Sequence, residues 1–160
     1  MQITVRIGVL AALLLTSVSL QAAPHPTATQ SNHFAQSLVT VSAHLVKGRD
    51  VIVEEKLGGY GGVTNDLEFY REITTRSRDS GQVISKLLWE TKNPQNLHGA
   101  EVYVYAKDGR LLREYRAMYL PYPNMRRAPY YTRLARHFYI DDLHVIREFD
   151  ANGWPMYESC

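Results

Sequence analysis

The sequence contains a single cysteine, Cys160, and none of the short motifs that identify common enzyme classes. One cysteine cannot form a disulfide within its own chain, so this is not a disulfide-stabilised scaffold. A Gly-x-Ser-x-Gly element, a His-Glu-x-x-His zinc motif, a phosphate-binding loop and a Cys-x-x-Cys pair are all missing. No reaction can therefore be assigned from a motif. We expect no cofactor, and we favour a non-catalytic function over an enzymatic one.

The chain also lacks a strong charge of either sign, because its formal net charge is +2 at pH 7. Proteins that bind nucleic acid usually carry a strongly basic domain. The charge therefore argues against a nucleic-acid partner.

The first residues have the pattern of a secretory signal peptide. A short segment ending in Arg6 precedes an apolar run, Ile7–Leu20, and small residues follow at Ala22 and Ala23. A membrane-spanning helix needs about twenty apolar residues, so this run is too short to stay in a membrane. We predict a signal peptide over residues 1–22, a disordered leader over 23–31 and a single globular domain over 32–160. The expected product is soluble and periplasmic or secreted, with no transmembrane span.

The rest of the chain changes from a helical period to a strand period near Asp50. Phe34, Leu38, Val41 and Leu45 share one helical face, and they predict a helix from Asn32 to Gly48. Seven short runs of alternating apolar and polar residues follow, with turns at 79–81, 108–109 and 150–153 that end in glycine. Strands joined by such short turns must pair antiparallel. The predicted fold class is α+β, mostly β, with an N-terminal helix followed by a curved antiparallel meander of about seven strands.

Residues 120–139 are predicted to interrupt this meander. Prolines break the strand pattern, and Pro129 suits the first position of a short helix. Leu134 and Phe138, four residues apart, would form the inner face of that helix.

Around this insertion the sequence concentrates arginine and tyrosine. Residues 115–140 contain five arginines, six of the eleven tyrosines of the chain and no acidic residue. Arginine and tyrosine are enriched in recognition surfaces because they combine stacking area with hydrogen-bonding groups. Alternatively, the tyrosines pack on the sheet and the arginines pair with acids elsewhere. The candidate binding residues are Arg116, Arg126, Arg127, Tyr130, Tyr131, Arg133 and Arg136.

A second, weaker candidate is a cluster of histidine and aspartate. His137, Asp142 and His144 carry groups that zinc accepts, and Asp142 and His144 would share a strand face. Histidine and aspartate near a turn also commonly act as caps and turn formers.

Three functions are compatible with these features. The first is an exported, non-catalytic binding module of the bacterial cell envelope, which contacts an anionic envelope component or an acidic protein surface through the Arg/Tyr-rich segment. The second is a small periplasmic hydrolase that uses His137, His144 and Asp142. The third is a carrier of apolar ligands, in which Trp89 and Tyr103 line a pocket in a half-open sheet. The sequence does not indicate an oligomeric state.

Overall fold

The computed structural model describes residues 25–61, 66–122 and 128–159, with the backbone alone for the last three. The predicted signal peptide, Cys160, Arg126 and Arg127 lie outside the described residues. One helix is followed by eight strands in the described part of the chain. Their bounds are α1 Ala28–Val46, β1 Val51–Gly58, β2 Tyr70–Ser77, β3 Val83–Glu90, β4 Leu97–Tyr105, β5 Leu111–Met118, β6 Tyr131–Ile140, β7 Leu143–Phe149 and β8 Pro155–Ser159.

Helix α1 begins earlier than the sequence pattern predicts. Thr27 and Gln30 form a reciprocal capping box, in which the Gln30 backbone N–H donates to Thr27 Oγ1 and the Thr27 N–H donates to Gln30 Oε1. Such a box satisfies two backbone donors at a helix start, so the helix begins at Ala28 rather than after Asn32. Residues 28–31 of the predicted leader are therefore helical. Gly48, at φ +73°, follows the helix end as expected.

The strands form one open antiparallel sheet in sequential order, β1 to β8, and this confirms the predicted fold class. Each strand pairs antiparallel with the next, and the connections range from two residues between β6 and β7 to twelve between β5 and β6. Gly81, Gly109 and Gly153 all have positive φ values at the three predicted turns. The residue at each of these turn positions must tolerate a left-handed backbone conformation, which glycine adopts without strain.

The predicted helical insertion is wrong. Residues 131–140 form strand β6, which pairs with β5 on one side and β7 on the other. Leu134 and Phe138 do share a face, but residues four apart share a face in a strand as well as in a helix. The spacing therefore could not separate the two structures, and the additional strand raises the count to eight.

The hydrophobic core lies between α1 and one face of the sheet. Ala35 and Leu38 of the helix are almost completely buried against Ala100, Val102 and Ala117 at the centre of β4 and β5. Alanines in the sheet let the helix approach closely. The other face has no helix against it among the described elements, and it carries ion-paired side chains such as Glu101, Glu114 and Arg133.

Candidate functional site

The arginines of the predicted binding segment separate onto the two faces of the sheet. Arg116 on β5 and Arg133 on β6 are direct cross-strand partners on the face opposite α1. Arg136 lies three residues after Arg133, so its side chain projects from the helix side. The predicted set therefore does not form one surface.

Arg116 and Arg133 belong to a network of ion pairs. Arg133 Nη2 lies 2.5 Å from Glu148 Oε1, and Nη1 lies 3.5 Å from Glu114 Oε1. Arg116 pairs with Glu114 and, at 3.9 Å, with Glu101. We call these five residues the polar cluster. Glu114 and Glu148 are buried, so Arg116 and Arg133 neutralise carboxylates inside the folded domain. This agrees with the alternative prediction that the arginines pair with acids elsewhere in the chain.

The two tyrosines among the candidate binding residues differ in exposure. Tyr130 is exposed at 61 %, and its ring lies 6.4 Å from the half-buried Tyr131 ring. Tyr131 pairs in register with Met118 on the face opposite α1. Strand alternation therefore places Tyr131 on the face opposite Arg136. Tyr130 precedes the strand.

The two histidines of the second candidate come together, but Asp142 does not join them. His137 Nδ1 and His144 Nε2 are 2.9 Å apart across β6 and β7. Asp142 is exposed in the turn between these strands. Among the described residues, no three His, Cys, Asp or Glu side chains are placed to hold a metal ion. The structure therefore brings together His137 and His144 of the three predicted metal ligands, but not Asp142.

The surroundings of the histidine pair also give little support to a hydrolase. Burial and the neighbouring His144 ring lower the pKa of His137, although Glu114 opposes this shift. The Glu114 carboxylate is 4.0 Å from His137 Nε2, beyond hydrogen-bonding distance. Tyr139 stacks on His144 at 4.5 Å between ring centroids. In the described part of the chain, neither imidazole is hydrogen-bonded to a serine, threonine or cysteine that could act as a nucleophile.

The residues of the carrier hypothesis lie on opposite faces. Trp89 packs against the core beneath α1. Tyr103 follows the buried core residue Val102, so it projects from the other face, where its hydroxyl donates to Glu101. The two rings therefore do not line a common pocket.

The helix side of the sheet carries a row of three exposed arginines. Arg113 on β5 is the cross-strand partner of Arg136 on β6, which is in turn the partner of Arg147 on β7. Neighbouring strands are about 5 Å apart, so the guanidinium groups project from adjacent positions. All three residues are exposed. We call them the arginine row.

Two phenylalanines support this row. The Arg136 guanidinium carbon lies 5.0 Å from the centre of the Phe149 ring, and that of Arg147 lies 5.5 Å from the centre of the Phe138 ring. These distances suit cation–π contacts. Within the described residues, Arg113 and Arg136 have no ion pair with a carboxylate, whereas Arg147 lies opposite Glu158 in the register.

The arginines of the row repel one another, because like charges lie directly opposite in the sheet. Of these three arginines, only Arg136 is among the candidate binding residues predicted from the sequence, and Arg113 and Arg147 are not. The signal for them was the alternation of side chains along β5, β6 and β7. It could not be used once residues 129–139 had been assigned to a helix.

No helix in the described part of the chain is long and apolar enough to cross a membrane. No family model, curated protein or solved structure matches this chain. Its function has to be argued from the site alone.

Proposed function

We propose that this protein is an exported, non-catalytic binding module that recognises an anionic component of the cell envelope, or an acidic protein surface, through the arginine row. The observation that carries the proposal is the uninterrupted cross-strand series of Arg113, Arg136 and Arg147, exposed on three adjacent strands. The proposed contact surface shares only Arg136 with the candidate binding residues predicted from the sequence, and it adds Arg113 and Arg147.

The chemistry of the row favours an anion with planar or tetrahedral oxygen groups. A guanidinium is always charged and presents several N–H donors in one plane, which suits carboxylate, sulfate and phosphate. Phe149 and Phe138 lie beneath two of the guanidinium groups. Because these rings restrict the arginine side chains, less conformational entropy is lost when a ligand binds.

The repulsion within the row supports the same conclusion. Arg136 faces an arginine on both neighbouring strands. Opposed like charges destabilise a sheet, and a bound anion would relieve this repulsion. The arginines of the polar cluster differ from Arg136 in this respect, since each of them has a carboxylate partner, whereas Arg136 has no ion pair with a carboxylate among the described residues.

The test is binding of the purified protein, expressed from the full-length sequence, to immobilised poly-glutamate at two salt concentrations. Arg113→Gln/Arg136→Gln/Arg147→Gln should lower the affinity at least a hundredfold, since each hydrogen bond to a charged group is worth about tenfold or more. Raising the salt should weaken binding by the wild-type protein, because the Debye length shortens from about 8 Å at physiological ionic strength.

The matched control is Lys47→Gln/Arg49→Gln/Lys107→Gln. It removes the same net charge from three exposed positions away from the row. The proposal requires this control to retain nearly the wild-type affinity. Equal losses in the two triple variants would show a diffuse effect of net charge and would reject the arginine row as the site.

A further inference from the structure

A cleft lies beside the N-terminal half of α1, on the same side of the sheet as the arginine row. It is an open depression with a volume of about 500 Å³. One wall is α1 and the other is the turn between β7 and β8. The lining side chains that matter here are Thr29, Gln30, His33, Phe34, Ser37 and Asn152.

Most of the exposed surface of the cleft is apolar, although several lining residues carry hydroxyl, amide or imidazole groups, and the described lining residues include no carboxylate, lysine or arginine. Hydroxyl, amide and imidazole groups both donate and accept hydrogen bonds. Phe34 adds a phenyl ring to these groups. This combination suits a neutral sugar ring, whose C–H face packs on apolar surface while its hydroxyl groups hydrogen-bond to polar side chains.

The cleft and the arginine row are connected through Phe149. The ring of Phe149 lies under Arg136, and the chain continues from Phe149 through Asp150 to Ala151 and Asn152 in the cleft wall. The Asp150 carboxylate accepts the backbone N–H groups of Asn152 and Trp154. This carboxylate is therefore engaged in the turn.

A second connection crosses the floor of the sheet. Phe34 in the cleft lies 6.5 Å from the Tyr115 ring. Tyr115, Leu134 and Phe149 are successive cross-strand partners, and each lies two residues from a member of the arginine row on its own strand. Side chains two residues apart share a face of the sheet. The surface is thus continuous from the neutral cleft to the cationic row.

We infer that the cleft and the arginine row form one extended site for an acidic glycan. A sugar ring lies in the cleft against Phe34, and the carboxylate, sulfate or phosphate groups of neighbouring sugars contact Arg136 and its partners in the row. This inference rests on the proposed anion-binding function and names the class of ligand. The neutral cleft is what distinguishes a glycan from other polyanions.

The experiment compares four probes with the purified protein: alginate, poly-glutamate, dextran and vesicles that contain phosphatidylglycerol. The test variant is Thr29→Ala/His33→Ala, which changes two exposed residues of the cleft. The control is Thr40→Ala/His44→Ala, which removes the same two side-chain types from exposed positions further along α1. Circular dichroism verifies that each variant retains the wild-type fold.

We expect alginate to bind more tightly than poly-glutamate. The test variant should lower the alginate affinity about fivefold, the loss expected of one or two neutral hydrogen bonds, and leave poly-glutamate binding unchanged. The control variant should change neither. These results together support the glycan site.

Other results overturn the inference in distinguishable ways. Equal binding of alginate and poly-glutamate, unchanged in the test variant, would refute the glycan site and leave the anion-binding function standing. Binding to the vesicles without binding to alginate would assign the surface to lipid headgroups. If none of the anionic probes binds, both the glycan site and the proposed function are wrong.

Discussion

Replacing Arg133 and replacing Arg136 should have opposite consequences, although the two residues lie three positions apart on one strand. The Arg133 side chain is 16 % exposed and neutralises Glu148, whose side chain is 5 % exposed. Arg133→Gln leaves this carboxylate buried without its cation. Removing one partner of a buried ion pair costs about 3–5 kcal/mol of folding free energy. Because Arg133 is partly exposed to solvent, we expect a cost near the lower end of this range. We expect a loss of about 3 kcal/mol, or a fall of about 12 °C in Tm.

Arg136→Gln should leave stability almost unchanged. Arg136 is exposed and faces two other arginines, so replacing it relieves charge repulsion. The variant also loses the contact between Arg136 and the Phe149 ring. These effects nearly cancel, within about 0.5 kcal/mol. Binding to poly-glutamate should fall in Arg136→Gln and persist in the folded fraction of Arg133→Gln.

Urea unfolding followed by circular dichroism measures both free energies, and an unchanged m-value shows that the comparison is valid. The double variant Arg133→Gln/Glu148→Gln should lose clearly less than the sum of the two single variants, because it removes the unpaired charge. Equal destabilisation by Arg133→Gln and Arg136→Gln would refute the division of the arginines between structure and binding.

Three further predictions concern the core, the pH dependence and the N-terminus. Leu38→Ala should lower the free energy of unfolding by about 2–5 kcal/mol in urea titrations, because Leu38 is 1 % exposed beneath the helix; a loss below about 1 kcal/mol would contradict the packing described. Burial lowers the pKa of His98 to about 4, so the unfolded chain binds a proton first and stability should fall as the pH drops from about 6.5 towards 4. A urea midpoint that is constant over this range, or that falls equally in His98→Gln, would reject that assignment. Intact mass of the protein recovered from the periplasm or the medium should show a start at Ala23 or Pro24, as the predicted signal peptide requires, and a product that retains residues 1–20 would exclude export by a cleaved signal.

The sequence predicted the local elements well where one period or one turn residue determined them. The helical face of Phe34 and Leu38 and the glycines at the three turns appear in the structure as expected. The start of α1 was also encoded locally, but in the capping box of Thr27 and Gln30 rather than in Asn32. Residues 131–140 were misassigned because a spacing of four residues occurs on one face of both a helix and a strand.

Composition and local pattern alone determined that the chain is mostly β, that its strands pair antiparallel and that arginine is concentrated near β5 and β6. Only the tertiary structure decided which arginines are structural. Arg133 and Arg136 are the same residue type on the same strand, and strand alternation directs one towards Glu148 and the other away from it. The arginine row likewise joins residues that are 23 and 11 positions apart in the sequence, Arg113 with Arg136 and Arg136 with Arg147. Their proximity depends on the register between the strands. Packing against α1 and the turns together set that register, so it cannot be read from the sequence of one strand.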